Sequence, residues 1–274
     1  MKKALKFSRR HLGIPYALFL IIFVILPLLL IVVYAFTDAN GHFTLSNFSD
    51  FFTKGSNLYV LFISFALAIL TTAICLIIAY PVAYALARGP VKTRSVYLLL
   101  FILPMWINFV LRTAAMKELL FALDSIGLYN VTDWYFANTV IGMVYDYLPF
   151  TILPIYTVLI KIDRHVLEAS SDLGANHVQT FLRTTLPLSL PGVVSAITMV
   201  LLPTTTSYVI SDTLGNSKIT IIGKLIENQF NIGTADSWHT GSAISLILLV
   251  FIFSTMLLTG KFSERTETRG GSLW

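Results

Sequence analysis

The chain has 274 residues, of which 56% are hydrophobic and only 12% are charged, with a formal net charge of +5. Soluble domains usually carry about 25% charged residues, so this composition excludes an ordinary water-soluble globular protein. A chain this apolar is expected in a lipid bilayer, which a helix of about 20 mainly apolar residues can cross.

Apolar segments, taken in chain order, predict six membrane crossings at about residues 13–36, 58–87, 95–120, 138–160, 186–210 and 241–262. These runs are long and continuous, whereas a spanning β-strand would alternate apolar and polar residues over about ten positions. The expected fold is therefore all-α, an integral membrane protein with six transmembrane helices. The first apolar run is too long for a cleaved signal, and we expect it to remain as a membrane helix.

The charge distribution predicts the orientation, because Lys and Arg in short loops favour the cytoplasmic side. The chain has 19 Lys and Arg residues. If both termini are cytoplasmic, only five of these lie toward the opposite side, namely Lys54, Arg112, Lys117, Lys218 and Lys224. We therefore expect a multi-pass protein with cytoplasmic N- and C-termini. The basic start of the chain is interpreted as a topology signal rather than a nucleic-acid site.

Several kinds of chemistry have no support in the sequence. Cys75 is the single cysteine, and the five histidines lack the H-E-x-x-H spacing of a zinc helix. No Gly-x-x-x-x-Gly-Lys-Ser/Thr loop is present to cradle nucleotide phosphates. We expect no metal site, no catalytic residues and no ATP hydrolysis by this chain alone.

A polar interruption between the fourth and fifth segments, residues 161–187, predicts a helix-turn-helix on the cytoplasmic face. Asp163 can cap the first helix, and Gly174 can end it in a left-handed conformation. Pro187 suits the first turn of the following crossing, because a helix does not need its amide donor there.

A spaced pattern runs through this interruption and is formed by Glu168, Ala169, Ser170, Gly174, Leu186 and Pro187. It resembles the signature loop of type I ABC importer permeases, which reads Glu-Ala-Ala-x-x-x-Gly, nine residues, Ile-x-Leu-Pro. The chain departs from that signature at Ser170, which is still small, and at Thr184, which stands where the family usually has Ile. Thr184 provides less apolar area for contact.

The resemblance implies a permease core at 58–262, preceded by residues 1–57 with the first helix and followed by a cytoplasmic tail, 263–274. Residues 161–187 would couple to a cytoplasmic ATPase, with Glu168, Ala169, Gly174, Leu186 and Pro187 as coupling residues. The implied partners are a second permease subunit, two ATPase subunits that bind ATP and Mg, and an extracytoplasmic binding protein. The implied location is the bacterial cell membrane, and this chain itself would bind no cofactor.

Three further segments, Pro104–Arg112, Val144–Phe150 and Tyr208–Gly215, are similar to the polyamine importer permeases. Within that group the chain looks closer to the first of the two spermidine/putrescine permease subunits. The resemblance implies a polyamine cargo. The open alternatives are a permease for another small solute, an ion-gradient-driven secondary transporter and a membrane scaffold that transports nothing.

A polyamine carries several ammonium groups, and its recognition needs carboxylates and aromatic faces. Asp212 and Tyr208, at the outer end of the fifth crossing, are candidate cation contacts, and Pro203 can break that helix nearby. The other interpretation of Asp212 is a solvated or capping acid.

Further pathway candidates lie on the third and fourth crossings. Trp106 and Asn108 are expected on the third, where Trp106 either stacks on substrate or packs against lipid. On the fourth, Tyr145 and Tyr147 point to different faces, and Tyr145 is favoured because it belongs to the matched pattern.

Arg112 is costly to hold inside a membrane and should have a partner. By helical rise, Arg112 and Asp146 lie at the same depth, about 12 Å from the outer ends of their segments, which predicts a structural ion pair. In the family, the position of Asp146 is not usually acidic. For residues 213–236, the apolar pattern leaves two interpretations open, contact with a binding protein or packing on the chain's own helices.

Overall fold

The structure is a computed structural model that describes residues 9–271, and it describes side chains for residues 13–257, 259 and 260. The predicted basic residues Lys2, Lys3 and Lys6 lie outside the described range, as do the side chains of the predicted tail. The regular secondary structure in the described part of the chain is helical, apart from one isolated bridge between Thr37 and Phe43, and turns and loops connect the helices. This confirms the all-α prediction.

The helices, in chain order, are α1 Arg9–Leu20, α2 Leu26–Ala35, α3 Ser46–Thr53, α4 Gly55–Arg88, α5 Val91–Ile102, α6 Phe109–Ser125, α7 Tyr135–Leu159, α8 Arg164–Asp172, α9 His177–Thr180, α10 Leu186–Thr206, α11 Tyr208–Leu214, α12 Ile222–Ile232 and α13 Ala235–Gly271. A π-helical turn, Ile21–Ile25, joins α1 to α2, and another, Phe181–Thr185, joins α9 to α10. A 3-10 turn, Leu103–Trp106, follows α5.

Within the described residues, helices long and apolar enough to cross a membrane are Gly13–Ala35, Gly55–Arg88, Tyr135–Leu159, His177–Thr206 and Ala235–Leu257. A sixth span is formed if Val91–Trp106 and Phe109–Ser125 are taken together, although they are bent by 98°. The third predicted crossing, 95–120, is therefore a bent pair of helices rather than one continuous helix. Ile107 takes an extended conformation there, and Asn108 starts a new helix.

Both ends of the fifth span also differ from their predicted positions. The fifth span starts at His177 rather than 186, because the π-helical turn makes α9 and α10 continuous. It ends at Thr206 rather than 210, because Ser207 leaves helical geometry with ψ of 59°.

The described residues divide into two compact units. One comprises the residues up to Leu58 together with Leu225–Phe251, and the other comprises Tyr59–Lys224 with the residues from Ile252 onward.

In the first unit, the segment after α2 is tied by side-chain hydrogen bonds. Asn47 Nδ2 donates to the carbonyls of Ala35 and Thr37 at 3.2 and 3.0 Å, and Phe51 is buried. The His239 ring lies edge-on to Tyr34, with Nδ1 2.9 Å from the Tyr34 carbonyl. The span Gly13–Ala35 in the same unit has no buried residue in its most apolar window. Such an exposed apolar surface suits contact with lipid.

The second unit is organised around α7, which packs along α10. Gly192 allows this close approach, because a Cβ there would lie 2.9 Å from the carbonyl oxygen of Pro154 and 3.0 Å from Val158. Small residues are the usual means by which membrane helices approach closely. Two apolar clusters fill the unit, one joining α4, α7 and α10, and one joining α4, α6, α7, α11 and the residues before α12.

Candidate coupling and substrate sites

The predicted helix-turn-helix is present between α7 and α10. Asp163 caps α8, since its Oδ1 accepts a hydrogen bond from the His165 amide at 3.0 Å. Gly174 follows the helix with φ of +86°, a region that L-residues rarely adopt. Asn176 then caps α9 through a reciprocal capping box with Gln179. Hydrogen bonds at each corner make this a defined segment rather than a flexible linker.

The surface of this segment combines exposed charge with exposed apolar groups. Glu168 and Ala169 are exposed, and Glu168 Oε2 lies 3.1 Å from His165 Nδ1. Leu173 is 89% exposed and Val178 is 66% exposed. Neither was singled out from the sequence, although an apolar residue beside a helix-ending glycine is a readable signal. Exposed apolar side chains within a polar rim are typical of protein-docking surfaces.

The remaining coupling candidates lie at the base of this segment. Leu186 is half-buried and Pro187 is exposed, and both fall in the first turn of α10 as predicted.

Three sets of contacts join this segment and the start of α10 to α4, and sequence reasoning missed all three. The ring of Phe181 lies edge-on between Tyr80 and Tyr84, with centroid distances of 5.7 and 5.6 Å. The hydroxyls of Tyr80 and Ser189 are hydrogen-bonded at 2.7 Å. At the other end, Arg88 Nη1 donates to the carbonyl oxygen of Ile162 at 3.4 Å. These contacts pack α4 against the same segment that leads into α10.

Trp106 and Asn108 lie at the break between α5 and α6, not inside a continuous third helix as predicted. Trp106 ends the 3-10 turn and is largely exposed. Asn108 is the N-cap of α6, with Oδ1 accepting from the Val110 amide at 2.8 Å. That oxygen has a structural role, and the break itself is the kind of feature that lines a cavity in membrane proteins.

Arg112 and Asp146 are brought together, with Arg112 Nε 3.3 Å from Asp146 Oδ1 and both side chains buried. The guanidinium N–H is not aimed at that oxygen, so charge attraction rather than a directed hydrogen bond joins them. Thr113 Oγ1 donates to the other carboxylate oxygen at 3.0 Å, and Arg112 Nη1 donates to the Asp146 carbonyl at 3.5 Å. This buried group connects α6 to α7.

Tyr145 and Tyr147 occupy different surroundings. Tyr145 is exposed, whereas the Tyr147 hydroxyl is hydrogen-bonded to Ser207 at the break between α10 and α11.

Tyr208 and Asp212 lie one turn apart on α11, beyond the break at Ser207. Asp212 Oδ2 forms an ion pair with Lys224 Nζ at 2.8 Å, and the same ammonium lies 5.4 Å above the Tyr208 ring centroid. The sequence analysis named the acid and the tyrosine as candidates but not Lys224, a basic residue in the segment that follows, residues 213–236. Among described residues, no hydrogen bond, ion pair or ring contact links Trp106, Asn108 or Tyr145 to Tyr208 or Asp212.

The residues of the 213–236 segment that belong to the second unit pack on the helices of that unit. Ile219, Ile221 and Ile222 are buried, and the Ile222 amide donates to Ser64 Oγ at 2.7 Å. Of the two interpretations for this segment, self-packing holds for these residues. Within the described residues, no group of three or more His, Cys, Asp and Glu is placed to hold a metal ion.

Comparison with known proteins gives one consistent result. Residues 79–268 match the family described as binding-protein-dependent transport system inner membrane component. The chain is 34% identical over 273 residues to the Haemophilus influenzae spermidine/putrescine transport system permease protein PotB, covering 90% of this chain and 93% of the relative. It is also 34% identical to the protein of the same name from Escherichia coli K12, covering 87% and 91%.

Among solved structures, the chain is similar to one in a bacterial alginate ABC transporter in complex with an alginate pentasaccharide-bound periplasmic protein. The TM-score is 0.75 at 16% identity, with 93% of each chain covered. At that identity the likeness shows the fold alone.

Proposed function

This chain belongs to the family of binding-protein-dependent transport system inner membrane components, and we propose that it forms half of the pathway of an ATP-driven polyamine importer. Members of this family are multi-pass membrane transport subunits rather than enzymes. The observation that carries the cargo assignment is 34% identity, over 90% of the chain, to a spermidine/putrescine permease.

The proposed assembly contains a second permease subunit, two ATPase subunits and an extracytoplasmic polyamine-binding protein. ATP and Mg bind to the ATPase subunits, and this chain holds neither. The termini and residues 161–187 face the cytoplasm, an orientation supported by the asymmetry of Lys and Arg along the sequence.

In this assembly, α8 and the turn that follows it seat on an ATPase subunit. Glu168 and Ala169 form the contacting face, and Gly174 sets the turn. The exposed side chains of Leu173 and Val178 support this role, because they would be left in water without a partner. Leu186 and Pro187 join the segment rigidly to α10, and Phe181 joins it to α4. ATP-driven movement of α8 thereby reorients two spans.

The substrate pathway runs along the outer halves of the spans within a core at residues 58–262. Asp212 and Tyr208 provide a carboxylate and an aromatic face for an ammonium group. Trp106, Asn108 and Tyr145 line the pathway at the break of α5 and α6 and on α7, where Trp106 and Tyr145 are exposed. Arg112 and Asp146 are structural and hold α6 on α7.

The test is uptake of labelled spermidine into proteoliposomes that contain the whole complex and the binding protein. We expect uptake that requires ATP on the side of the membrane where the ATPase subunits lie. Unlabelled putrescine should inhibit this uptake, whereas alginate oligosaccharides and methionine should not. Uptake that follows an ion gradient without ATP would contradict the proposed class. ATP hydrolysis stimulated by the binding protein, with no polyamine uptake, would contradict only the cargo.

A further inference from the structure

A cation of the protein itself occupies the Asp212 cluster. The Lys224 ammonium is 2.8 Å from the Asp212 carboxylate and 5.4 Å above the Tyr208 ring. The second distance is within the range of about 6 Å over which a cation is attracted to an aromatic face. The cluster thus holds an alkylammonium between a negative charge and a π-face.

The chemistry of this lysine matches that of the proposed cargo. A lysine side chain is a flexible four-carbon stem ending in an ammonium with three donors. Putrescine is a four-carbon chain with an ammonium at each end, and spermidine has the same aminobutyl group at one end. A position that accepts the end of Lys224 therefore has the charge, reach and aromatic contact required by the end of a polyamine.

Resting on the function proposed above, we propose that Lys224 is a tethered competitor that occupies a substrate-ammonium position, and that a polyamine enters this position by displacing it. The displaced lysine moves into solvent, and the ammonium of the substrate takes over the contacts with Asp212 and Tyr208. Lys224 thereby keeps the carboxylate neutralised whenever no cargo is present.

The backbone around the cluster is held, so the lysine stem is the part that can move. The Ile222 amide donates to Ser64 Oγ at 2.7 Å, and Ile221 and Ile222 are fully buried. Gly223 packs directly against the backbone of Thr206, leaving no room for a side chain. The backbone next to Lys224 is consequently held in place, while its four-carbon stem has rotatable bonds.

Exposure separates this ion pair from a purely structural one. The Arg112 and Asp146 side chains are only 6% and 4% exposed. Those of Lys224 and Asp212 are 26% and 28% exposed, so water and a ligand can reach the pair. Solvent that reaches a charged pair screens its attraction. The start of α12 is already secured by the buried isoleucines and the Ser64 hydrogen bond.

With a competitor of this kind, the apparent affinity for polyamine is the intrinsic affinity multiplied by the fraction of time for which Lys224 leaves the site open. If Lys224 occupies the position about 90% of the time, the apparent dissociation constant for polyamine is raised about tenfold. The same occupancy favours release, because the lysine can take back the carboxylate after the cargo has moved on.

The experiment measures equilibrium binding of labelled spermidine to the complex in nanodiscs. The binding protein is left out, because spermidine bound to that protein would mask spermidine bound in the pathway. For Lys224→Met, which keeps length but removes charge, we expect binding about five- to tenfold tighter than wild type. Lys224→Arg keeps a cation and should stay within about twofold of wild type. Lys218→Met is the matched control, because Lys218 also lies over an aromatic ring, that of Tyr135, at 5.0 Å.

The same measurement in an Asp212→Asn background removes the carboxylate for which both cations compete. We expect Asp212→Asn to weaken binding, and Lys224→Met to give no gain in that background. If the Lys224→Met complex assembles normally but binds spermidine as well as wild type or less well, Lys224 is only a structural ion-pair partner of Asp212, and the proposal is overturned. Failure of the proposed function gives a different result, namely no ATP-dependent spermidine uptake by the wild-type complex.

Discussion

Ser170 and Thr184 contact each other across the turn of the coupling segment, with Thr184 Oγ1 donating to Ser170 Oγ at 3.4 Å. Ser170 Oγ also lies 3.2 Å from Thr180 Oγ1. These two residues are the positions at which the chain departs from the signature loop of type I importer permeases. The departures meet in space, where hydroxyl groups join α8 to the turn that leads into α10.

This relationship predicts that the two positions are energetically coupled. Thr184→Ile alone removes a hydroxyl partner and should lower the free energy of unfolding by about 0.5–1.5 kcal/mol. The double variant Ser170→Ala, Thr184→Ile restores the family pattern and should recover most of that loss. A double-mutant cycle on thermal unfolding of the complex measures the coupling.

The control for this cycle is Thr198→Ile, since Thr198 donates to the Val194 carbonyl of its own helix. Its effect should be the same with and without Ser170→Ala. Additive effects of Thr184→Ile and Ser170→Ala would show that the contact between them has no energetic role.

A second prediction concerns the conformation of Gly174, whose φ of +86° disfavours any side chain. Gly174→Ala should shift the turn and lower the spermidine transported per ATP hydrolysed severalfold, while the ATPase subunits still hydrolyse ATP. Gly41→Ala is the matched control, because Gly41 has φ of +81° and equally open surroundings. Both substitutions carry a backbone strain of about 1 kcal/mol, and only the first lies in the coupling segment. Equal loss of coupling in both variants would contradict the role given to this turn.

Phe181 provides a third prediction, because its ring connects the coupling segment to Tyr80 and Tyr84 of α4. Phe181→Leu keeps most of the apolar volume but removes both edge-on contacts, which are worth about 0.5–1.5 kcal/mol each. We expect transport to fall several times more than ATP hydrolysis does. The measurement is the ratio of spermidine uptake to phosphate release in the same proteoliposomes.

Phe19→Leu is the control for loss of a ring contact, since Phe19 pairs with Phe23 in the exposed first span. It should leave the ratio unchanged. An unchanged ratio in Phe181→Leu would mean that α4 receives no movement through this ring.

The fourth prediction concerns the buried pair of Arg112 and Asp146. Asp146→Asn leaves the buried guanidinium without a counter-charge and should destabilise the protein by about 3–5 kcal/mol. The double variant Arg112→Met, Asp146→Asn removes both charges and should be more stable than Asp146→Asn alone. Yield and thermal unfolding of the assembled complex check both expectations. His42→Gln is the control, because it removes only an exposed side-chain contact with Asp38 and should change neither yield nor unfolding.

Features controlled by neighbouring residues were predictable. The helix-turn-helix at 161–187 follows from Asp163 as a cap and Gly174 as a stop, both of which act within one turn of the chain. The pairing of Arg112 with Asp146 could be expected from depth alone, because a buried charge in a membrane requires a partner at its own level.

The break of the third span was not predictable from hydropathy. Residues 95–120 form one apolar run, and hydropathy does not report backbone direction. At the change of direction, Asn108 caps the new helix α6. Trp106 and Asn108 were therefore assigned to the third crossing, but their position at its break was not predicted.

Bilayer thickness and helix capping act on consecutive residues, so membrane spanning, the position of the helix-turn-helix and the family resemblance can be read from the sequence. Which side chains meet could be seen only in the folded chain. Lys224 reaches Asp212 because α12 is secured by Ser64, a residue far away in the chain. Thr184 reaches Ser170 because Gly174 turns the chain back. Such contacts depend on how helices pack, and no local pattern encodes them.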